Sequence, residues 1–204
     1  MGNILLGDIG NTHMHLYDRD SVFHLSPQRA IKEYGKTKLS YISVNSSLEE
    51  RIKAETIWIN ISDKMHIPGE YETMGVDRRA LCLSHDNGLF IDAGSAITVD
   101  MVERGSYKGG YIFPGLSAML KSYRQISDAL DVTLERSLDL TRLPLTTKEQ
   151  ISYGIIASIK ALIEKHREHK PLYFTGGDGA FLAGFFRDAT YDETLVFKGM
   201  QYAL

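Results

Sequence analysis

The sequence predicts a mixed α/β protein of two related lobes. Three observations carry that prediction. A short apolar strand runs into Asp8-Ile9-Gly10-Asn11-Thr12 and then into a second strand, and the same unit recurs at Asp92-Ala93-Gly94-Ser95-Ala96, 84 residues further on. A third glycine cluster, Gly176-Gly177-Asp178-Gly179, follows another short strand. Between the clusters lie segments with the apolar spacing of helices. An internal duplication is the economical explanation, and it divides the chain into lobes at 1–85 and 86–204.

The elements follow in order. Asn3 to Asp8 reads as a strand, the Asp8–Thr12 stretch as a tight turn, and His13-Met14-His15-Leu16-Tyr17 as the returning strand of a hairpin. Lys38 to Val44 and Thr56 to Ile61 read as strands, with a short helix over Ser46 to Ala54. Residues 63–75 hold Pro68, Gly69 and Gly75 and read as loop, followed by a helix from Asp77 to Leu83. In the second lobe Gly88 to Asp92, Ile97 to Val102 and Tyr107 to Phe113 form a meander. Leu116 to Leu130 and Lys148 to His166 have helical spacing. In the second of these Ile151, Ile155, Ile159 and Leu162 share one face, with Thr146 or Thr147 as N-cap. Pro171 to Thr175 reads as a strand, Ala180 to Phe186 as a short helix and Leu195 to Phe197 as a final strand.

Composition narrows the functional classes. At 204 residues with 43% hydrophobic and 24% charged side chains, the chain is long enough to bury a real core. No run approaches the roughly 18 apolar residues of a membrane span, and the N-terminus lacks the basic segment of a signal peptide. Cys82 is the single cysteine, which excludes an internal disulfide framework and suits a reducing cytoplasm. A net charge of −3 removes the footprint of a general nucleic-acid binder. Neither a membrane nor a nucleic acid is expected as a partner. The seven histidines lack metal-ligand spacing.

Chemistry concentrates in the turns. A glycine just past a strand-end aspartate admits positive φ and lets backbone N–H groups approach a ligand closely. Successive N–H groups pointing into one concavity hold phosphate oxygens. A carboxylate beside a polyphosphate needs a cation between them, and Mg²⁺ takes one or two carboxylates with water and phosphate, so Asp8 can serve it through water. Two such turns facing each other across a cleft would grip a nucleotide from both sides, with the Thr175–Gly179 cluster beneath the adenosine. Neither G-x-x-x-x-G-K-[ST] nor G-x-G-x-x-G occurs.

These elements resemble the two phosphate motifs and the adenosine motif of the superfamily of sugar kinases, acetate kinase, actin and heat-shock chaperone ATPases. The similarity is closer to one member. Asp8 to Thr12, Gly75-Val76-Asp77-Arg78, Asp92 to Asp100, Gly109-Gly110-Tyr111-Ile112-Phe113-Pro114-Gly115 and Thr175-Gly176-Gly177 stand in the order found in type III pantothenate kinases. The resemblance runs from residue 4 to about residue 180. Two departures are visible: Ser95 stands where relatives usually carry Thr, and the chain is shorter than most relatives between residues 18 and 70.

The resemblance implies two ribonuclease-H-like lobes around a nucleotide cleft, and ATP-dependent phosphorylation of the primary hydroxyl of pantothenate, the first step toward coenzyme A. It implies ATP contacts at Asp8, Ile9, Gly10, Asn11, Thr12, His13, Met14, His15, Ser95, Gly176 and Gly177. Tyr71, Gly75, Val76, Asp77, Arg78 and Thr147 would contact pantothenate. Asp77 can take the proton of the attacking hydroxyl, and Arg78 can hold a carboxylate by a planar two-point contact. Asp92 would ligate a monovalent cation, K⁺ or NH₄⁺, while Mg²⁺ accompanies ATP.

Taken alone, several of these residues read otherwise. Asp77 and Arg78 read as an acid at a helix start and a solvated base, Asp92 as an Asx turn, Thr147 as an N-cap and Tyr71 as a loop aromatic. His13 and His15 read as strand residues flanking the turn. Relatives form homodimers through the long helices of the second lobe, here Leu116 to Leu130 and Lys148 to His166. Two other functions fit the same motifs: a kinase for another small carboxylate-bearing alcohol or a sugar, and a non-catalytic regulatory protein of the same fold.

Overall fold

A computed structural model describes residues 5–10, 13–202 and 204. Two compact units can be distinguished. One comprises Met1–Asp86, Val102–Tyr107 and Glu193–Leu204; the other comprises Asn87–Met101 and Lys108–Asp192.

The first unit is built on strands β1 (Leu5–Ile9), β2 (Met14–Tyr17), β3 (Val22–Leu25), β4 (Leu39–Ser43) and β5 (Ile59–Asn60). Their order in the sheet is β3-β2-β1-β4-β5. β1 pairs antiparallel with β2 and parallel with β4, so the hairpin expected from Asp8–Thr12 lies at the centre of the sheet. Helices α1 (Pro27–Tyr34) and α2 (Glu49–Glu55) connect β3 to β4 and β4 to β5. Ser26 caps α1, with Pro27 in its first turn, where a missing N–H costs nothing. Leu5, Ile9, Leu16, Ile31, Tyr41 and Trp58 form the core, and the Trp58 indole donates to the Tyr34 carbonyl at 3.0 Å.

The second sheet repeats the plan with strands β6 (Gly88–Ala93), β7 (Ala96–Glu103), β8 (Ser106–Pro114), β9 (Leu172–Thr175) and β10 (Ala189–Tyr191), the tip of the β7–β8 hairpin, Val102–Tyr107, belonging to the first unit. Read from β8, the sheet order is β8-β7-β6-β9-β10, the same as in the first sheet when strands are numbered from its own start. β6 and β9 are parallel, as β1 and β4 are. Matching topology in both sheets is what a duplication leaves behind. Helix α4 (Leu116–Ile126) and helix α5 (Thr147–Arg167) lie between β8 and β9. On α5 Ile151, Ile155, Ile156, Ile159 and Ile163 are buried, packing with Leu89, Val99, Leu172 and Phe174. Its N-cap is Thr146, whose hydroxyl accepts from Glu149 N at 3.4 Å and donates to the Glu149 carboxylate at 2.7 Å, so Thr147 is the first helical residue.

Two helices complete the pattern. α3 (Val76–Cys82) follows β5, and α7 (Leu195–Tyr202) follows β10; α6 (Gly179–Ala183) lies between β9 and β10. α3 and α7 pack together within the first unit. Gly199 makes this possible, because a Cβ there would run into the backbone carbonyl of Ala80.

α7 corrects the expectation of a final strand over Leu195 to Phe197. Those three apolar residues are too few to show a period, and Gly199 lowers the helical signal; tertiary packing buries Leu195, Val196, Phe197, Gly199 and Met200 as a helix. The last strand lies earlier, at Ala189–Tyr191. The strand expected over Thr56 to Ile61 shrinks to Ile59–Asn60, because Thr56 ends α2 by donating its N–H and hydroxyl to the Ile52 carbonyl at 3.0 and 2.8 Å. Strand β3 and helix α1 are additional to the elements expected from the sequence. No described helix is long and apolar enough to cross a membrane.

Candidate functional site

The first turn begins where β1 ends. Gly10 N donates to the His13 carbonyl at 3.0 Å, and Val44 N donates to the Ile9 carbonyl at 3.1 Å, tying the turn to the end of β4. Asn11 and Thr12 lie outside the described residues. Ile9 and Met14 are each 1% exposed and belong to the core, so what they can offer a ligand is backbone.

Asp8 is half-buried and stands opposite His15 in the β1–β2 register; His15 in turn stands opposite His24 on β3. The Nδ1 atoms of His15 and His24 are 2.6 Å apart, and His24 Nε2 is 3.8 Å from the Glu193 carboxylate. Burial, then the neighbouring His24 and His13, lowers the His15 pKa from 6.5 to about 4, so this imidazole is neutral at physiological pH. His13 is exposed at the start of β2.

In the second unit three glycine segments meet. Gly94 N donates to the Ala96 carbonyl at 2.9 Å, closing the bend that presents Ser95 to solvent. Gly115 N donates to the Ser95 carbonyl at 3.0 Å, and a Cβ on Gly115 would collide with the Gly94 and Ser95 carbonyls. Gly176 has φ +83°, and a Cβ there would strike the Asp92 carboxylate and the Ala93 carbonyl. Asp178 N donates to that same Ala93 carbonyl at 2.9 Å. The Asp92–Ala96 turn, the glycine closing the Gly109–Gly115 motif and the Gly176–Gly177 turn therefore come together within the second unit. Asp178 also meets Arg136 at 3.3 Å.

The Gly75–Arg78 segment lies in the first unit. Gly75 is the N-cap of α3 and Asp77 lies in its first turn, where a negative charge is favoured. Asp77 Oδ1 accepts from Arg78 N at 2.8 Å. A Cβ on Gly75 would fall 2.5 Å from Asp77 Oδ1, so glycine leaves the carboxylate room.

Arg78, read from sequence as a solvated base, is only 7% exposed. It donates from Nη1 to the Tyr71 hydroxyl at 2.5 Å and from Nη2 to the Tyr107 hydroxyl at 3.3 Å. Tyr71 is itself exposed. Glu70 braces the loop ahead of it, accepting from Ile67 N at 2.8 Å, with His66 Nδ1 at 2.9 Å and Arg79 at 3.6 Å. Burial alone would raise the Glu70 pKa; the hydrogen bonds from His66 and Ile67 and the Arg79 charge outweigh it and hold the carboxyl below the usual range.

Thr147, exposed at the start of α5, belongs to the second unit. A cavity of about 240 Å³ lined by Leu89, Val99, Met101, Lys108, Tyr111 and His166 contains none of the predicted site residues. Tyr107 and Glu70 were missed by sequence reasoning because a strand tyrosine and a loop glutamate are ordinary where they stand.

A family model for type III pantothenate kinases matches residues 38–169. A type III pantothenate kinase from Helicobacter hepaticus is 43% identical over 202 residues, which cover 98% of each chain. A solved structure from Campylobacter jejuni, described as a Baf family transcriptional activator, aligns with a TM-score of 0.88 at 36% identity, covering 98% of this chain and 96% of that one. The activator of the 2-hydroxyisocaproyl-CoA dehydratase from Clostridium difficile aligns with a TM-score of 0.57 at 11% identity over 98% and 93% of the two chains, a likeness of fold alone. Matched over more than half its length by the family model, and by a close relative end to end, the chain belongs to the type III pantothenate kinase family.

Proposed function

We propose that the chain transfers the γ-phosphoryl group of ATP to the primary hydroxyl of pantothenate, giving 4′-phosphopantothenate, the first step toward coenzyme A. The observation that carries this reading is the pair Asp77–Arg78 at the start of α3, an acid and an immobilised guanidinium on successive residues. Arg78 receives the pantothenate carboxylate by a planar, charge-assisted contact. Asp77 accepts the proton of the attacking hydroxyl. Phosphoryl transfer asks the protein mainly for positioning and charge stabilisation, and these residues supply both. Tyr71, Gly75, Val76 and Thr147 complete the acceptor contacts.

The ATP contacts are Asp8, Ile9, Gly10, Asn11, Thr12, His13, Met14 and His15, together with Ser95, Gly176 and Gly177. A single carboxylate at the first turn suits Mg²⁺, which keeps water and phosphate in most of its positions. Asp8 would hold it through water, and when bound it neutralises charge on the phosphates. The Asp92 carboxylate and the Ala93 carbonyl, both close to Gly176, suit a monovalent cation, K⁺ or NH₄⁺. The enzyme works as a cytoplasmic homodimer of two-lobed subunits, 1–85 and 86–204, with α4 and α5 at the interface.

The description of the Campylobacter structure favours a second reading, a regulatory protein of the same fold. Retention of Asp8, Asp77 and Asp92 weighs against it, since a nucleotide-binding remnant has no use for a base beside the acceptor. Coupled turnover with ATP and pantothenate decides between them. The wild type is expected to consume ATP only when pantothenate is present, and Asp77→Asn to lose about 10³-fold in kcat with the fold intact. Near-normal turnover by Asp77→Asn would remove the base assignment. No turnover by the wild type would leave the regulatory reading.

A further inference from the structure

We infer that Tyr107, at the tip of the β7–β8 hairpin, is a positioning residue of the acceptor site: with Tyr71 it fixes the plane in which Arg78 meets the acceptor's carboxylate. The inference rests on the reading of Arg78 given above and extends the site to a residue outside every motif. Tyr107 is 8% exposed and Arg78 7%, so both are held in place by their surroundings. The two terminal nitrogens of the guanidinium each donate to a different tyrosine, Nη1 to Tyr71 and Nη2 to Tyr107. Two such bonds on a planar fork fix its rotation, which one bond cannot do.

The hairpin tip is anchored for this purpose. Tyr107 N donates to the Pro68 carbonyl at 2.8 Å, three residues ahead of Tyr71. Gly69, at φ +86°, lies so close that a Cβ there would fall 2.6 Å from the Tyr107 carbonyl oxygen. The rings of Tyr71 and Tyr107 are 6.1 Å apart. Loop, hairpin tip and α3 thus converge on one side chain within the first unit. Orienting Arg78 before the substrate arrives spares the ordering cost at binding, and this should appear in pantothenate affinity and not in the chemical step.

The test is Tyr107→Phe, which keeps the ring and removes the hydroxyl. KM for pantothenate is expected to rise roughly fivefold to tenfold, with kcat and KM for ATP within about twofold. In an Arg78→Lys background the same change should add less than about twofold, because its route of action is gone. In the ligand-free protein, proton exchange at the Arg78 side chain should quicken in Tyr107→Phe. An unchanged pantothenate KM, equal rises in both KM values, or effects that multiply in the double variant would overturn the inference. Should Tyr107→Phe not fold, Tyr107→Met, which also fills the space without the hydroxyl, is read for the same split and the same outcomes. A wild type that shows the exchange behaviour yet leaves pantothenate unphosphorylated defeats the functional reading and spares the positioning role.

Discussion

The two units share a strand order and differ in what they attach to it. The second builds its meander from long strands, eight and nine residues in β7 and β8, and covers it with the 21-residue α5. In the first, β2 and β3 have four residues each and α1 has eight. The helices that follow the fifth strand of each sheet, both of them within the first unit, diverge furthest. α3 carries Asp77 and Arg78, whereas α7 carries Leu195, Val196 and Phe197, all buried. Two matching scaffolds thus end in unlike helices: the proposed acceptor chemistry lies on one, and the other packs against it as support.

Substitutions can break or sharpen that contrast. The largest stability effect is expected at Gly199, where α7 meets α3. Gly199→Ala forces the helices apart and should cost about 3 kcal/mol, read as a lower urea midpoint together with weaker pantothenate binding. A neutral outcome would mean that α7 does not support α3.

Acid should separate the two hairpins next. The His15 pKa of about 4 lies below its free value of 6.5, so the unfolded chain takes up its proton first as pH falls. The stability is whole above pH 6.5, declines between 6.5 and about 4, and then levels off. After allowance for partial exposure the loss is on the order of 2 kcal/mol. β7 contains no histidine. Amide exchange at pH 4.5 should therefore quicken in β2 and β3 and not in β7 and β8, and His15→Asn should flatten the pH slope. Equal responses in the two hairpins would contradict the assignment.

Gly176→Ala asks an L-residue to adopt φ +83° beside Asp92, at a cost of about 1–2 kcal/mol. KM for ATP should rise while KM for pantothenate holds; a change confined to pantothenate would move the nucleotide away from this turn. Smallest, and opposite in sign, is Gly154→Ala on α5. A Cβ there meets nothing within 4 Å, so the change should stabilise by about 0.5–1 kcal/mol. A loss at this position would reveal a partner packed on that face.

Much of this plan was legible in the residues. The hairpins were readable because each joins an apolar strand to an Asp-x-Gly turn, a local signal that packing has no reason to override. α5 was readable because its isoleucines, from Ile151 to Ile163, repeat over about three turns. α7 was not, because three apolar residues carry no period and its identity is decided by contact with α3. The proposed acceptor site divides in the same way. Gly75-Val76-Asp77-Arg78 is contiguous, so sequence displays it. The burial of Arg78 depends on Tyr107, 29 residues away, and on an unusual approach at Gly69, neither of which leaves a local pattern.

The most direct test of the phosphotransfer account is a crystal structure of the wild type with pantothenate and a non-hydrolysable ATP analogue. The pantothenate carboxylate should lie on the Arg78 guanidinium, its primary hydroxyl within hydrogen-bond reach of Asp77, and the γ-phosphate next to that hydroxyl. Pantothenate seated away from α3, or a γ-phosphate remote from Asp77, would contradict it.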